Sequence, residues 1–194
     1  MIVISNPTPM SNEIILVQNL FLQGLQKFHL RKPFFTKNET ASWISKIGLE
    51  HHSKIVLHQH FELTADFNIP QIHLKESDRE NFDLSRYQNL KISTSVHNID
   101  TFNNLSQTYC YAFLSPIFPS FSKPEYRSDI SWKEALKKRT NFQTKLIALG
   151  GIDATTVPLI QEFGFDDYAL LGTIWLQKDG LKNFELCQRL DHLF

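Results

Sequence analysis

Short apolar segments alternate along the chain with longer segments in which apolar residues recur every three or four positions. The short segments are rich in Val, Ile and Leu, which is typical of strands buried on both faces, whereas the longer ones are typical of amphipathic helices. The predicted strands span residues 1–5, 27–31, 54–58, 71–74, 91–95, 111–115, 145–149 and 167–171. The chain therefore alternates strand and helix from one end to the other.

Helices are predicted after most of these strands. They span residues 12–24, 61–67, 99–107, 132–139, 154–164 and 181–193, and a further helix begins at Thr36. Thr36 is a good N-cap, and Glu39 follows at the spacing of a capping box. Residues 75–90 are polar with weak helical periodicity, so an irregular or truncated helix is expected there. A loop rich in Pro and Ser is expected after the sixth strand.

Eight strands that alternate with helices predict parallel pairing through right-handed crossovers. Eight such units make a (β/α)8 TIM barrel, so we expect a single barrel domain with short loops over residues 1–194. An open doubly wound sheet is the main rival fold. The chain lacks the G-x-G-x-x-G loop that binds a nucleotide in that fold, which favours the barrel.

Charge and composition exclude several classes of function. Lys plus Arg and Asp plus Glu number 20 each, so the net charge is zero and phosphate-driven binding of nucleic acid is not expected. The mean hydropathy is −0.25, and no apolar run approaches the ~18 residues of a membrane helix. Cys110 and Cys187 form no CxxC motif, and residues 1–5 lack a basic signal region, which favours a cytoplasmic protein. A homo-oligomer is compatible with the sequence, although no apolar stripe requires one.

The residues that follow the predicted strands are the candidates for chemistry, because TIM-barrel active sites lie at the carboxyl ends of the strands. These positions are polar and cationic: His29, Arg31, Lys32, His58, Gln59, His60, His73, Asp78, Ser95, His97 and Lys123. Strands seven and eight end instead at Gly150-Gly151 and Gly172-Thr173. Backbone N–H groups at such turns, beside a helix N-terminus, form a cradle for a phosphate, although two ordinary turns would have the same sequence.

Six segments at these positions carry recognisable motifs. They are LR at 30–31, IHL at 72–74 with Asp78, SVH at 95–97, SPIFPSFSK at 115–123, IALGGI at 147–152 and LGTI at 171–174. In order and spacing they resemble the thiamine phosphate synthase / TenI family, with its patterns Q-L-R-x-K, V-H-L-G-Q-x-D, G-x-S-x-H, G-P-I-F-P-T-x-x-K and A-I-G-G-I. The P-I-F-P-x-x-x-K and A-x-G-G-I pair is the most specific part of the match.

The resemblance implies a (β/α)8 transferase that joins a hydroxymethylpyrimidine diphosphate to a thiazole phosphate and releases pyrophosphate with the help of Mg²⁺. Arg31 and Lys123 would stabilise the charge that grows on the leaving pyrophosphate, and Asp78 would hold Mg²⁺. The expected substrate-binding residues are Lys32, His58, Ser95, Ser120, Ser122, Gly150, Gly151, Gly172 and Thr173. Each of these residues also has a simpler interpretation: Arg31 as one half of an ion pair, Asp78 as a helix cap, and Lys123 as a solvated loop lysine.

The sequence departs from the family mainly on the diphosphate side. His29 replaces the glutamine of Q-L-R-x-K and Pro33 replaces its lysine; Lys32 is a candidate substitute, although strand alternation points it to the other face. His58-Gln59-His60 replaces N-D-R, and the amide of Gln59 cannot supply the charge of a metal-binding aspartate. We therefore expect either that Mg²⁺ binds through Asp78, substrate phosphates and water, or that the chemistry differs.

Three other functions stay open. A TenI-like thiazole tautomerase would use His97, which occupies the position of that branch's catalytic histidine, as its general acid and base. A non-catalytic or regulatory protein would keep the thiazole phosphate site without turnover. A metal-dependent hydrolase would bind its metal through His58 and His60, with further histidines on neighbouring strand ends. The synthase takes precedence because Asp78 and Lys123 fit its pattern.

Overall fold

The computed structural model describes residues 1–119 and 132–194. Within them, eight parallel strands form a closed barrel in which each strand pairs with the next one in the chain and the eighth pairs with the first. Val3 lies opposite Phe28 of the second strand and opposite Leu170 of the eighth, so the first strand closes the ring. The predicted (β/α)8 barrel is confirmed.

The strands lie close to their predicted bounds. They are β1 (Ile2–Ile4), β2 (Phe28–Leu30), β3 (Ile55–Leu57), β4 (Gln71–Leu74), β5 (Lys91–Val96), β6 (Tyr109–Leu114), β7 (Lys145–Leu149) and β8 (Asp167–Leu170). The helices in the described residues are α1 (Glu13–Leu22), α2 (Lys37–Ile47), α3 (Leu63–Phe67), α4 (Ile99–Asn103), α5 (Trp132–Leu136), α6 (Val157–Phe163), α7 (Gly172–Trp175) and α8 (Gly180–Gln188). Of the helices in these two ranges, none has the length and apolar character needed to cross a membrane.

Side-chain hydrogen bonds are present at the start of α2 and at the end of α4. The capping box before α2 is confirmed, because Thr36 Oγ1 accepts a hydrogen bond from the Glu39 N–H and the Thr36 N–H donates to Glu39 Oε2 at 2.8 Å. The helix predicted over 99–107 ends early, at Asn103, whose Oδ1 accepts a hydrogen bond from the Thr140 N–H at 2.9 Å. The predicted irregular stretch 75–90 is confirmed, since it holds two short 3-10 helices, Glu76–Asp78 and Leu84–Tyr87.

Alternation along the strands separates an inner layer from an outer layer. The inner apolar layer consists of Ile2, Ile4, Tyr111, Phe113, Ile147 and Ala169, which pack together inside the barrel. Their strand neighbours Val3, Ala112 and Leu114 pack outward in the main core against the helices. Since Phe28 and Leu30 also pack outward, the His29 side chain between them points into the barrel. The same alternation turns His73 inward.

Candidate active site at the carboxyl ends of the strands

A cavity of about 620 Å³ opens at the carboxyl ends of the strands, and we call it the cationic cavity. Its lining is Ile4, Arg31, His58, His73, Lys75, Glu76, Ser77, Ser95, His97, Phe113, Ser115, Leu149 and Leu171. Five residues that the sequence predicts for the site line this cavity: Arg31, His58, His73, Ser95 and His97. Cationic side chains border one side of it and apolar side chains border the other.

A second cavity, of about 360 Å³, lies beside the first and is called here the glycine cavity. Its lining is Asn6, Pro7, Ser115, Leu149, Gly150, Gly151, Ile152, Ala169, Leu171, Gly172, Thr173, Trp175 and Leu176, which includes both predicted glycine turns. Gly151 has φ 63°, and a Cβ there would lie 2.5 Å from the Pro119 carbonyl oxygen, so only glycine fits. Ser115, Leu149 and Leu171 line both cavities, which therefore adjoin.

The backbone holds Arg31 at the mouth of the cationic cavity. Its N–H donates a hydrogen bond to Ser5 Oγ at 2.8 Å, and the same hydroxyl donates to the Arg31 carbonyl oxygen at 3.0 Å. This reciprocal pair ties the residues beyond β2 to those beyond β1. The guanidinium group lies close enough to His73 to help lower the pKa of that imidazole, although burial is the larger cause.

A carboxylate that the motifs did not single out orients His97. His97 Nδ1 lies 2.6 Å from Glu76 Oε2, while the other oxygen, Oε1, accepts a hydrogen bond from Arg79 Nη2 at 2.8 Å. Glu76 borders the cavity, and the His97 side chain is 61% exposed, so the free edge of the imidazole is accessible from solvent. The only signal for Glu76 in the sequence is its position just after β4.

Three histidines and a tyrosine cluster at the floor of the cationic cavity, and the His58 and His73 rings are stacked there. His29 Nδ1 lies 2.8 Å from His58 Nε2, and His29 Nε2 lies 2.7 Å from the Tyr111 hydroxyl. His73 contacts the Ser93 and Ser95 hydroxyls at 2.9 and 3.0 Å. Burial lowers the pKa of all three imidazoles, that of His73 to about 3, so they are neutral at pH 7.

Two other predicted site residues, Lys32 and Asp78, lie outside the two cavities. Lys32 is fully buried, and its Nζ lies 2.6 Å from Glu13 Oε2, so this side chain faces the outer layer as strand alternation predicts. Asp78 is exposed, and its Oδ1 accepts a hydrogen bond from Ser77 Oγ at 2.8 Å. Three predicted residues, Ser120, Ser122 and Lys123, lie outside the described ranges.

The residues after β3 divide between the cavity and the neighbouring loop. His58 faces the cavity, whereas the Gln59 amide donates to the Lys32 and Phe35 carbonyl oxygens. His60 Nε2 lies 2.8 Å from the Phe35 carbonyl oxygen as well. Gln59 and His60 therefore hold the segment after β2 in place. The structure does not bring His60 to the histidine cluster that contains His58.

The closed barrel, with both cavities at the carboxyl ends of its strands, defines a TIM-barrel protein whose site is built from the loops that follow the strands. The chain belongs to the family described as "Thiamine monophosphate synthase", whose sequence model matches residues 1–174. The expected family, and with it the transferase class, is confirmed.

Individual relatives support the same assignment. The chain is 22% identical to the thiamine-phosphate synthase of Enterobacter sp. (strain 638) in an alignment of 179 positions that covers 86% of this chain and 82% of the relative. It superposes on the thiamine phosphate pyrophosphorylase of Bacteroides thetaiotaomicron with a TM-score of 0.80 and 28% identity, over 100% of this chain and 98% of the other. The Pyrococcus furiosus pyrophosphorylase has the same fold, with a TM-score of 0.78, 14% identity, and coverage of 100% and 96%.

Proposed function

We propose that this protein couples a hydroxymethylpyrimidine diphosphate with a thiazole phosphate to give thiamine phosphate and pyrophosphate. The observation that carries the proposal is the pair of adjoining cavities, because a reaction between two phosphorylated molecules needs two neighbouring compartments. The cationic cavity suits the diphosphate, and the glycine cavity suits the single phosphate. Both substrates are small molecules, and the absence of a charge excess in the sequence agrees with such partners.

The chemical task of the cationic cavity is to stabilise the departing pyrophosphate. When the bond between the pyrimidine methylene and the diphosphate breaks, negative charge grows on the leaving oxygens and positive charge grows on the methylene carbon. Arg31 and Lys75 border this cavity, and their fixed positive charges stabilise the growing anion. Arg31 is suited to grip two phosphate oxygens at once. Lys123 has the same proposed role by the family motif.

The apolar side of the cavities protects the cation from water. Leu149 and Leu171 line both compartments, and Phe113 lines the cationic cavity beside them. A reactive methylene cation at the junction of the two cavities meets the thiazole nitrogen before it meets solvent, which favours coupling over hydrolysis. The N–H groups of the two glycine turns hold the phosphate of the thiazole substrate. The thiazole nitrogen is thereby oriented toward the junction of the two cavities.

Two carboxylates, Glu76 in the lining of the cationic cavity and Asp78 two residues further along the chain, are compatible with the Mg²⁺ expected of this family. Mg²⁺ commonly binds through one or two carboxylates together with substrate phosphates and water. Asp78 is exposed, with one oxygen engaged by Ser77, whereas both oxygens of Glu76 are engaged by Arg79 and His97. Asp78 would therefore hold the ion, which would neutralise charge on the diphosphate. Gln59 contributes no charge to such a site.

One specific contact favours a second function, thiazole tautomerisation. The 2.6 Å contact between His97 Nδ1 and Glu76 fixes the imidazole in one orientation and leaves its other ring nitrogen free to face the cavity. An imidazole in this arrangement is equipped to move a proton between two positions of a thiazole carboxylate phosphate.

A coupling assay with purified protein tests the proposal. The pyrimidine diphosphate, the thiazole phosphate and Mg²⁺ are mixed, and thiamine phosphate and pyrophosphate are followed together. Equal amounts of both products are expected. Folded protein that binds thiazole phosphate but forms no product would refute the coupling function; the thiazole carboxylate phosphate would then test the tautomerase.

We also propose a cytoplasmic location, which the two free cysteines, Cys110 and Cys187, support.

A further inference from the structure

The histidine cluster at the floor of the cationic cavity has the ligand atoms that a metal site requires. His29, His58 and His73 each offer one ring nitrogen, and the three nitrogens lie within 4.8 Å of one another. We propose that these three histidines bind one divalent transition metal ion that prefers nitrogen ligands, with Zn²⁺ as the reference ion. This site is distinct from a Mg²⁺ site at the rim, which requires oxygen ligands.

The barrel itself brings the three residues together. His29 is the central residue of β2, His58 follows β3 directly, and His73 is in β4. These are three neighbouring strands of the ring, and alternation turns all three imidazoles toward the lumen. Two of the three, His29 and His58, are positions at which the sequence departs from the family motifs. The coupling steps proposed above give neither imidazole a charge to stabilise or a proton to move, so they do not explain a histidine at either position.

The distances require only a small adjustment for an ion. Around a tetrahedral Zn²⁺ with bonds of ~2.0–2.1 Å, two ligand nitrogens lie ~3.4 Å apart. His29 Nδ1 and His58 Nε2 are 2.8 Å apart, so their direct hydrogen bond would open slightly to admit the ion. The His58 and His73 rings are already stacked, with centroids 4.3 Å apart. With all three ligand nitrogens within 4.8 Å of one another, small ring movements suffice to bring them around one ion.

Outer hydrogen bonds hold the imidazoles in the manner of metal ligands. The Tyr111 hydroxyl contacts His29 Nε2 at 2.7 Å, which leaves Nδ1 as the nitrogen that faces the cluster. Ser93 and Ser95 contact the two nitrogens of His73, so one serine continues to orient the ring after the other is exchanged for the ion. The neutral state of the three rings makes their lone pairs available at neutral pH.

The surroundings also specify the fourth ligand. His58 and His73 line the cationic cavity, so the open coordination position of a three-histidine site faces that cavity. Arg31 and Lys75 border the same space, and both help to lower the pKa of His58, behind the larger effect of burial. These positive charges favour an anionic fourth ligand, such as hydroxide or a phosphate oxygen.

Metal titration of the whole chain, without substrate, tests this inference independently of the coupling reaction. Protein freed of metal with a chelator is titrated with Co²⁺, whose visible absorption reports tetrahedral nitrogen ligation, and then with Zn²⁺. We expect one Co²⁺ per chain, an intense visible band, and its loss when one equivalent of Zn²⁺ is added. Absence of stoichiometric binding to the folded wild-type protein would overturn the proposal.

Variants locate the site. His58→Asn should abolish the visible band. Tyr111→Phe keeps the ring and removes only the hydroxyl, and it should weaken binding by ~10–100-fold because an outer contact is lost. His60→Asn is the matched control: His60 lies two residues from His58, outside the cluster, and asparagine tolerates its φ of 52°.

The outcomes separate the cluster from a metal pair made of His58 and His60. Unchanged binding in His60→Asn with weakened binding in Tyr111→Phe supports the cluster. Loss of binding in His60→Asn, or full affinity in Tyr111→Phe, contradicts it. Circular dichroism confirms that each variant is folded, and Tyr111→Phe keeps the test informative even if His58→Asn does not fold.

Discussion

The lumen of this barrel has two unlike halves. The polar half, contributed by the residues in or just after β2 to β5, consists of His29, His58, His73, Ser93 and Ser95. The apolar half, contributed by β6, β7, β8 and β1, contains Phe113, Ile147, Ala169, Ile2 and Ile4. Inward-facing positions of one barrel are thus filled by polar side chains on one half of the lumen and by apolar side chains on the other.

The two halves of the lumen are stabilised by different physical interactions. The apolar half is stabilised by removing side chains from water, at ~25 cal/mol per Å² of apolar surface. Burial of imidazoles and hydroxyls costs free energy unless each finds a hydrogen-bond partner; the polar half supplies the contacts of His58 and His73, and the Tyr111 hydroxyl of β6 supplies a further one to His29. Among the described residues, the buried side-chain atoms without a partner are Trp43 Nε1 and His51 Nδ1, both outside the lumen. Polar side chains are therefore concentrated on one side of the lumen, and the other side is filled by apolar packing.

Acid should weaken the polar half most. The pKa of His73 falls to about 3 in the folded protein, against ~6.5 in the unfolded chain, so this group's stabilisation is complete above pH 6.5 and is lost as the pH falls. The free energy of unfolding should drop by ~1.4 kcal/mol per pH unit for each such histidine. The measurement is urea denaturation of chelator-treated protein between pH 6.5 and 5.

The variants His73→Gln and His192→Gln sharpen this test. His73→Gln should have a shallower pH dependence than the wild type by about the contribution of one histidine. His192 is exposed, so the second variant should follow the wild-type curve. Parallel curves for the wild type and His73→Gln would contradict the assignment of a buried, neutral imidazole.

Truncation should weaken the apolar half through a cavity. Phe113 is 1% exposed and packs against Tyr111. Phe113→Ala should reduce the free energy of unfolding by ~3–5 kcal/mol, whereas Phe34→Ala, at a side chain that is 79% exposed, should change it by less than ~0.5 kcal/mol. Denaturant titration at pH 7.5 measures both, and equal small losses would show that this half of the lumen is not tightly packed.

Removal of a rim cation should affect activity rather than stability. Arg31→Ala should reduce the coupling rate by ~10²-fold or more, which is about 2.7 kcal/mol of transition-state stabilisation. Arg86→Ala is the matched control, because Arg86 is largely exposed and pairs with Asp83 away from both cavities. Steady-state kinetics measure the coupling rates of the two variants. Equal rates would contradict the proposed role of Arg31.

His97 should give the smallest effect if coupling is the reaction. His97→Asn should slow coupling by less than about tenfold, because no proton transfer is assigned to this residue there. A tautomerase would instead lose ~10²–10⁴-fold, the usual contribution of a general acid–base group. Parallel assays of the two reactions on this variant and on His192→Asn distinguish the functions.

Local sequence determined the elements of this protein. A short apolar run rich in Val, Ile and Leu sets each strand, and the Thr36 and Glu39 spacing sets the start of α2, because both depend on interactions between residues close in the chain. The glycine pair at 150–151 could also be assigned to a turn in advance, since its backbone conformation is a local property. The number and order of these elements then favoured the closed barrel.

The tertiary structure decided which polar residues meet. His29, His58 and His73 are far apart in the chain, and only the pairing and closure of the strands turn them toward one point. Lys32 was a site candidate by type, but its ion pair with Glu13 places it on the outer face. Alternation fixes which residues share a face of a strand, whereas contacts across the lumen depend on the register of all eight strands, and no local pattern records that register.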